Sequence, residues 1–420
     1  MKIIKEFIYV IGVISGIILM ATVLLVAVYA LPTGRIKENV AKSSQIFDKE
    51  EAYPELIPGY KFTRLDNFTD SIMLAIAMYD GEESTSEKAM ANYRMRSDEL
   101  GVVKSTTHYA NDVQAEYYVH PYQRYWHGYL IYLKPLLVFF TYGEIRILNG
   151  IFQMIMAMLI IKKMYSSMLR KYIPAYIMMA LFINPSVVAL SLQYSAIYNL
   201  ILFFILLWLI LIQKKKVMVS NVWKLFLVAG CITSYIDFLT YPIVLVGVLC
   251  VLTINTFGCD WKNLLFLIRN IGLWGIGYIG MWAGKWLVGS IILKENLFMN
   301  AIEKLMFRTS MPQGCENRTA AIWENIVIYG NEIFIILLMG MIVFAVCNLW
   351  KKGIKVKRKN ICEIIAYVLV GIMPFAWMLL AAEHSKEHAW FVHRGFAITV
   401  LAISCIYEYI KENCCISCEK

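Results

Sequence analysis

Two carboxylates four residues apart stand at the head of an apolar run, in which Leu65-Asp66-Asn67-Phe68-Thr69-Asp70 leads into Ser71-Ile72-Met73-Leu74-Ala75-Ile76-Ala77-Met78. Asp66 reads as the N-cap of a helix, and Asp70 lies one turn later on nearly the same face. Carboxylates this close repel, so the pair either raises one member's affinity for a proton, which suits a general base, or holds a divalent cation. Capping and the helix dipole account for Asp66 equally well without any chemistry.

A second group is Gln123-Arg124-Tyr125-Trp126-His127-Gly128. Its aromatic density fits an interfacial segment, and Arg124 and His127 are the side chains there that meet a phosphate or a sugar. A third is Glu383-His384-Ser385-Lys386-Glu387-His388-Ala389-Trp390-Phe391-Val392-His393-Arg394. His384 and His388 share a helical face and match the H-x-x-E-H pattern of inverted zinc proteases, but a short turn between spans leaves no soluble domain to complete one. An anion-binding cluster suits these residues better, with Arg394 supplying a fixed fork and His388 and His393 tunable donors. Two further charges adjoin apolar stretches: Asp237 in Tyr235-Ile236-Asp237-Phe238, and Lys285 between Trp282 and Trp286. Charges at such depth face a protein interior or a wet cavity, unless Asp237 merely reaches the surface in a short loop and Lys285 snorkels.

The elements that must hold these residues belong to a bilayer. Of 420 residues, 59% are hydrophobic and only 17% charged, against about half and a quarter in soluble domains. Ten apolar runs reach span length, near 7–31, 145–163, 172–190, 192–213, 222–238, 241–258, 263–286, 324–350, 361–382 and 395–411. The expectation is a single all-α polytopic domain over 1–420, multi-pass in the cell membrane. It has a long extracytoplasmic loop with short interfacial helices at 32–144 and a second outer loop at 287–323. With a cytoplasmic N-terminus, the clusters Lys162-Lys163, Lys214-Lys215-Lys216 and Lys351-Lys352 all fall inside, and ten spans return the C-terminus to the same side. The net charge of +10 is thus a matter of membrane orientation and gives no support to nucleic acid as a partner. All six histidines fall on the outer side of this map and direct the search for a site there.

A long acidic first outer loop, a crown of spans and His/Arg in the last outer turn together resemble the GT-C superfamily of integral-membrane glycosyltransferases. The likeness rests on layout over most of the chain, on Asp66-Asn67-Phe68-Thr69-Asp70, on Arg124-Tyr125-Trp126-His127-Gly128 and on His388 to Arg394. Asp66 departs from the pattern by lying about 35 residues beyond the first span, and the C-terminal extracytoplasmic domain of many members is missing. The resemblance implies transfer of a sugar from a polyprenyl-phosphate donor to a glycan, lipid or protein acceptor on the outer face. Asp66 or Asp70 would act as base or bind a divalent metal ion. Arg124, His127, Asp237, Lys285, His384, His388, His393 and Arg394 would contact substrate. The alternatives are an outer-leaflet polysaccharide polymerase or ligase, and a transporter or flippase.

Overall fold

The computed structural model describes residues 2–216, 218–329 and 358–414, with positions 340, 343, 346–348, 350 and 353 between them. Among the described residues the only strands are Arg94–Arg96 and Tyr118–His120, which pair antiparallel with Arg94 opposite His120. The rest is helix and loop. Seven helices are long and apolar enough to cross a bilayer: Ile4–Tyr29, Tyr142–Tyr165, Leu192–Gln213, Val219–Ile236, Trp261–Leu293, Asn360–Leu380 and Ala389–Asn413. The chain is an all-α polytopic membrane protein.

Two of the ten apolar runs behave differently from the expectation. The run at 172–190 forms Ile173–Ile183 and then a single turn, Pro185–Val188, because Asn184 adopts a left-handed conformation with φ of 65° before a proline. The run at 241–258 forms Ile243–Phe257, only 15 residues, and it is buried from Ile243 through Asn255. A helix of that length rises about 22 Å, short of the roughly 30 Å of hydrocarbon. The run at 324–350 lies largely outside the described residues.

Two apolar cores divide the work. One is the interior of the helix bundle, built from Ile173–Ile183, Leu192–Gln213, Ile243–Phe257 and the two C-terminal spans. The other lies where the first helix meets the segment between it and Tyr142–Tyr165, whose helices Thr33–Lys42, Asn67–Met78, Thr85–Ala91 and Leu130–Phe139 pack on it and on one another. Lys134 shows how this second core tolerates charge. It is fully buried, yet its ammonium donates to the Ala77 carbonyl at 2.6 Å, closing the C-terminal end of the Asn67–Met78 helix, and lies over the Tyr29 ring.

Within the bundle the Val222–Ile236 and Trp261–Leu293 helices approach backbone to backbone. Gly230 faces the Trp274 carbonyl and Gly277 the Leu227 carbonyl, each so closely that a Cβ would overlap the oxygen. Small residues permit this in lipid, where packing rather than water exclusion holds helices together. Replacing Gly230 with Val should separate the pair and lower the melting temperature of the detergent-solubilised protein, at a cost of about 1–3 kcal/mol or more. Unchanged melting would show that the contact contributes nothing.

Candidate functional site

Asp66 and Asp70, adjacent on one face, are given opposite environments. Asp70 is completely buried, and its carboxylate takes four donors from elsewhere in the chain. Oδ2 accepts from the Tyr142 hydroxyl at 2.7 Å and the Leu192 amide at 2.8 Å; Oδ1 accepts from the Gln193 amide at 3.0 Å and the Ser191 hydroxyl at 3.2 Å. It therefore sits on the N-terminus of the Leu192–Gln213 span, where free amides and the helix dipole favour an anion. Burial pushes its pKa up, while these donors and nearby Arg146 pull it back.

The network continues outward from that carboxylate. Arg146 donates through Nη2 to the Tyr142 hydroxyl and to Asn67 Oδ1, and through Nη1 to Glu50 at 2.8 Å. Asn67 donates in turn to Glu50 and to the Glu51 carbonyl. Asn67 and Ser191 are not among the candidates that residue type and spacing name. Only a polar residue recurring on the buried faces of otherwise apolar helices signals such a network, and that signal does not name the partners.

Asp66 is 2% exposed but lightly engaged. Oδ1 accepts from the Thr69 amide at 2.8 Å, which makes it the N-cap of Asn67–Met78; the Thr69 hydroxyl also approaches the carboxylate, and no well-formed hydrogen bond among the described residues engages Oδ2. Burial, together with the charge of Asp70, raises its pKa from 3.8 to about 7, against the pull of the Thr69 amide. Trp390 lies against it, and the indole N–H closes no well-formed hydrogen bond within the protein. Tyr53 packs edge-on to Trp390 at 5.5 Å and stacks on Phe68, so aromatic rings cover the carboxylate. Arg64 completes the cover, with its guanidinium 5.7 Å from the Trp390 ring and paired to Glu55 at 2.7 Å.

The C-terminal string is split in two. Arg394 is fully buried over the Tyr194 ring and donates to the carbonyls of Ile183, Trp390 and, at 3.5 Å, Phe62, so its fork closes backbone ends. His393 donates from Nδ1 to the Ala389 carbonyl and packs edge-on against Tyr329. In place of the expected His393/Arg394 phosphate clamp, the structure has Arg394 committed to backbone carbonyls and His393 buried with Nδ1 engaged. His384 and His388 stack at 4.6 Å on the other side of Trp390. His384 donates from Nε2 to the Leu239 carbonyl and accepts at Nδ1 from Arg308, 2.6 Å away. With both nitrogens engaged it has no lone pair for zinc. Burial and the Arg308 charge hold it neutral, well below the usual imidazole pKa. His388 uses only Nδ1, toward the His384 carbonyl at 3.2 Å, and its pKa falls to about 4 through burial and Arg308.

Of the remaining candidates, Asp237, Lys285 and His127 engage backbone. Asp237 is buried and accepts the Thr240 amide with both oxygens at 3.0 and 3.1 Å, shaping its own turn; burial raises its pKa to about 6. Lys285 neither snorkels nor opens into a cavity. It is fully buried and donates to the Met90 carbonyl at 2.9 Å and the Ala89 carbonyl at 3.4 Å, at the C-terminus of Thr85–Ala91, as Lys134 does for its helix. His127, at a φ of 52°, is pinned at both nitrogens, by the Tyr122 carbonyl and the Tyr129 hydroxyl, and burial takes its pKa down to about 3. Arg124 reaches Asn300 at 3.0 Å, in the helix Leu297–Arg308.

Among the described residues, no three His, Cys, Asp or Glu side chains gather as a metal-ligand set. An open depression lined by Cys315, Glu316, Asn317 and Trp323 includes none of these candidates. In comparisons with protein-family models, curated proteins and solved structures, none matches this chain.

The two aspartates should separate on substitution. Asp70→Asn places an amide N–H against the donors of Ser191, Leu192 and Gln193 and should cost on the order of 3 kcal/mol, read as a lower detergent melting temperature. Asp66→Asn keeps the cap acceptor and should melt within a degree or so of the native protein. Equal destabilisation by both would refute the division.

Proposed function

We propose that this chain is a membrane glycosyltransferase of the GT-C type, taking a sugar from a polyprenyl-phosphate donor to a glycan, lipid or protein acceptor on the outer face of the cell membrane. In this reading the run at 172–190 and the helix Ile243–Phe257, enclosed by protein and so not bound to match the hydrocarbon thickness, join the run at 324–350 and the seven long helices as ten crossings, with both termini cytoplasmic. Basic clusters at 162–163, 214–216 and 351–352 support that orientation.

The observation that carries the reading is the Asp66 carboxylate: one oxygen unengaged, pKa about 7, beneath the rings of Tyr53 and Trp390. A base matched to neutral pH takes the acceptor hydroxyl's proton as the anomeric carbon is attacked. Aromatic faces pack on the apolar C–H face of a sugar ring. Positions on both sides of Trp390 then acquire roles. His388 donates from Nδ1, so Nε2 keeps a lone pair that accepts from a sugar hydroxyl. Arg64, partly exposed and with Nε unpartnered, meets the departing phosphate in the place first expected of Arg394. Asp70 braces the helix that presents Asp66.

Transfer by purified protein in lipid nanodiscs from a polyprenyl-phosphate sugar should fall below detection in Asp66→Asn while the fold is retained. Because the fold raises this pKa, the carboxylate is protonated and inactive as a base below about 7. Activity should therefore climb as pH passes upward through about 7, losing roughly tenfold per unit below it. Full activity in Asp66→Asn, or a flat profile from pH 5 to 8, would remove the base from this reading.

A further inference from the structure

The helix Leu297–Arg308 is inverted with respect to a soluble surface helix. Met299, Ile302, Leu305 and Met306 are exposed, at 61, 43, 46 and 66%, while Leu297 and Ala301 are buried and Lys304 and Arg308 turn toward the protein. Apolar residues outward and cations inward is the arrangement for a helix bathed in hydrocarbon on one side and facing a polar site on the other.

The inward side is short of negative charge. Arg308 reaches His384 and lies 5.9 Å from the Tyr125 ring; Arg124, from the first outer segment, lies 5.5 Å from the Tyr122 ring and bonds Asn300 on the same inverted helix. Arg94 approaches the Tyr122 ring at 5.5 Å as well. Among the described residues, Arg94, Arg124, Lys304 and Arg308 form no ion pair with a carboxylate. The Nε atoms of Arg124 and Arg308 and Nη1 of Arg94, itself 7% exposed, are buried without partners. Burial and the charges of Arg308 and Arg124 pull the Lys304 ammonium below its ordinary pKa, with Glu387 opposing. The other acids nearby are accounted for: Asp237 caps its own turn behind Tyr125, Glu295 accepts from Gln123, and Glu303 is exposed on the helix. Gathering like charges with unpartnered donors is unfavourable unless an anion joins them.

We propose that Arg124, Lys304 and Arg308, with Arg94 behind them, form an anion subsite that takes the phosphate group of a membrane lipid entering sideways beneath the Leu297–Arg308 helix. Guanidinium forks suit a phosphate's several oxygens, and the exposed Met299, Ile302 and Met306 give its chains an apolar wall. The subsite does not depend on Asp66 acting as a base, and Asp66→Asn should retain it.

The test uses the full-length protein, with the Arg124→Gln/Lys304→Gln/Arg308→Gln variant and the milder Lys304→Gln alone. Retention of phosphatidylglycerol over phosphatidylcholine is read by native mass spectrometry, and thermal stabilisation by inorganic phosphate is measured separately. Native protein should prefer the anionic lipid in a salt-sensitive way. Affinity should drop roughly tenfold for each lost charged contact, so Lys304→Gln remains informative where the triple variant fails to fold. Stabilisation by lipid alone places the chains in the site, and stabilisation by inorganic phosphate as well places the recognition in the phosphate; both support the subsite. Unchanged lipid preference in folded Lys304→Gln and in the triple variant, or no preference in the native protein, would overturn it.

Discussion

Helix ends buried inside the molecule are the constraint on which this structure turns. Each α-helix leaves four amides and four carbonyls without partners in its own backbone, and a bilayer offers no water to satisfy them. The chain meets this with charged side chains sent from distant segments. Asp70 closes the N-terminus of Leu192–Gln213, Lys134 the C-terminal end of Asn67–Met78, Lys285 that of Thr85–Ala91, and Arg394 that of Ile173–Ile183. Each of these charges joins elements tens to hundreds of residues apart, so the set fastens the outer layer to the bundle while it satisfies the backbone.

This explains why a list of buried charges is a poor list of reactive groups. A charge in an apolar stretch is costly, and two outcomes compensate: a structural partner or a ligand. Asp70, Lys134, Lys285 and Arg394 have structural partners for their donors or lone pairs. Asp66, one helical turn from Asp70, has a single cap bond and an idle oxygen under an aromatic cover. The contrast resembles other carboxylate pairs whose environments drive their proton affinities apart. It comes from which face of the helix meets the end of another, not from any difference in residue type.

The outer layer repeats the contrast for cations. Arg394 is buried against carbonyls, whereas Arg124, Lys304 and Arg308 collect on the inward side of a helix whose outward side is apolar. Two segments widely separated in sequence supply this group, and Tyr122 and Tyr125 are the surfaces on which the guanidinium groups converge. The stacked His384 and His388 border it, kept neutral by burial and by the same positive charge.

Membrane residence and helical class were legible in the sequence, because hydrophobic length is a local property that each span carries by itself. The Asp66 cap was legible for the same reason: cap and amide are three residues apart. Span count was less so. Asn184 and Pro185 interrupt one run, and another is short because it is enclosed by protein, and mean hydropathy does not distinguish enclosure by protein from enclosure by lipid. What only the tertiary structure decided is the use of each charge. Asp66 and Asp70 read alike as candidate bases, and Arg394 reads as a phosphate fork, until the backbone groups that engage Asp70 and Arg394 are brought beside them. Those partners lie as far as 332 residues away, at the Phe62 carbonyl that accepts from Arg394, a distance over which residue type and spacing carry no information about contact.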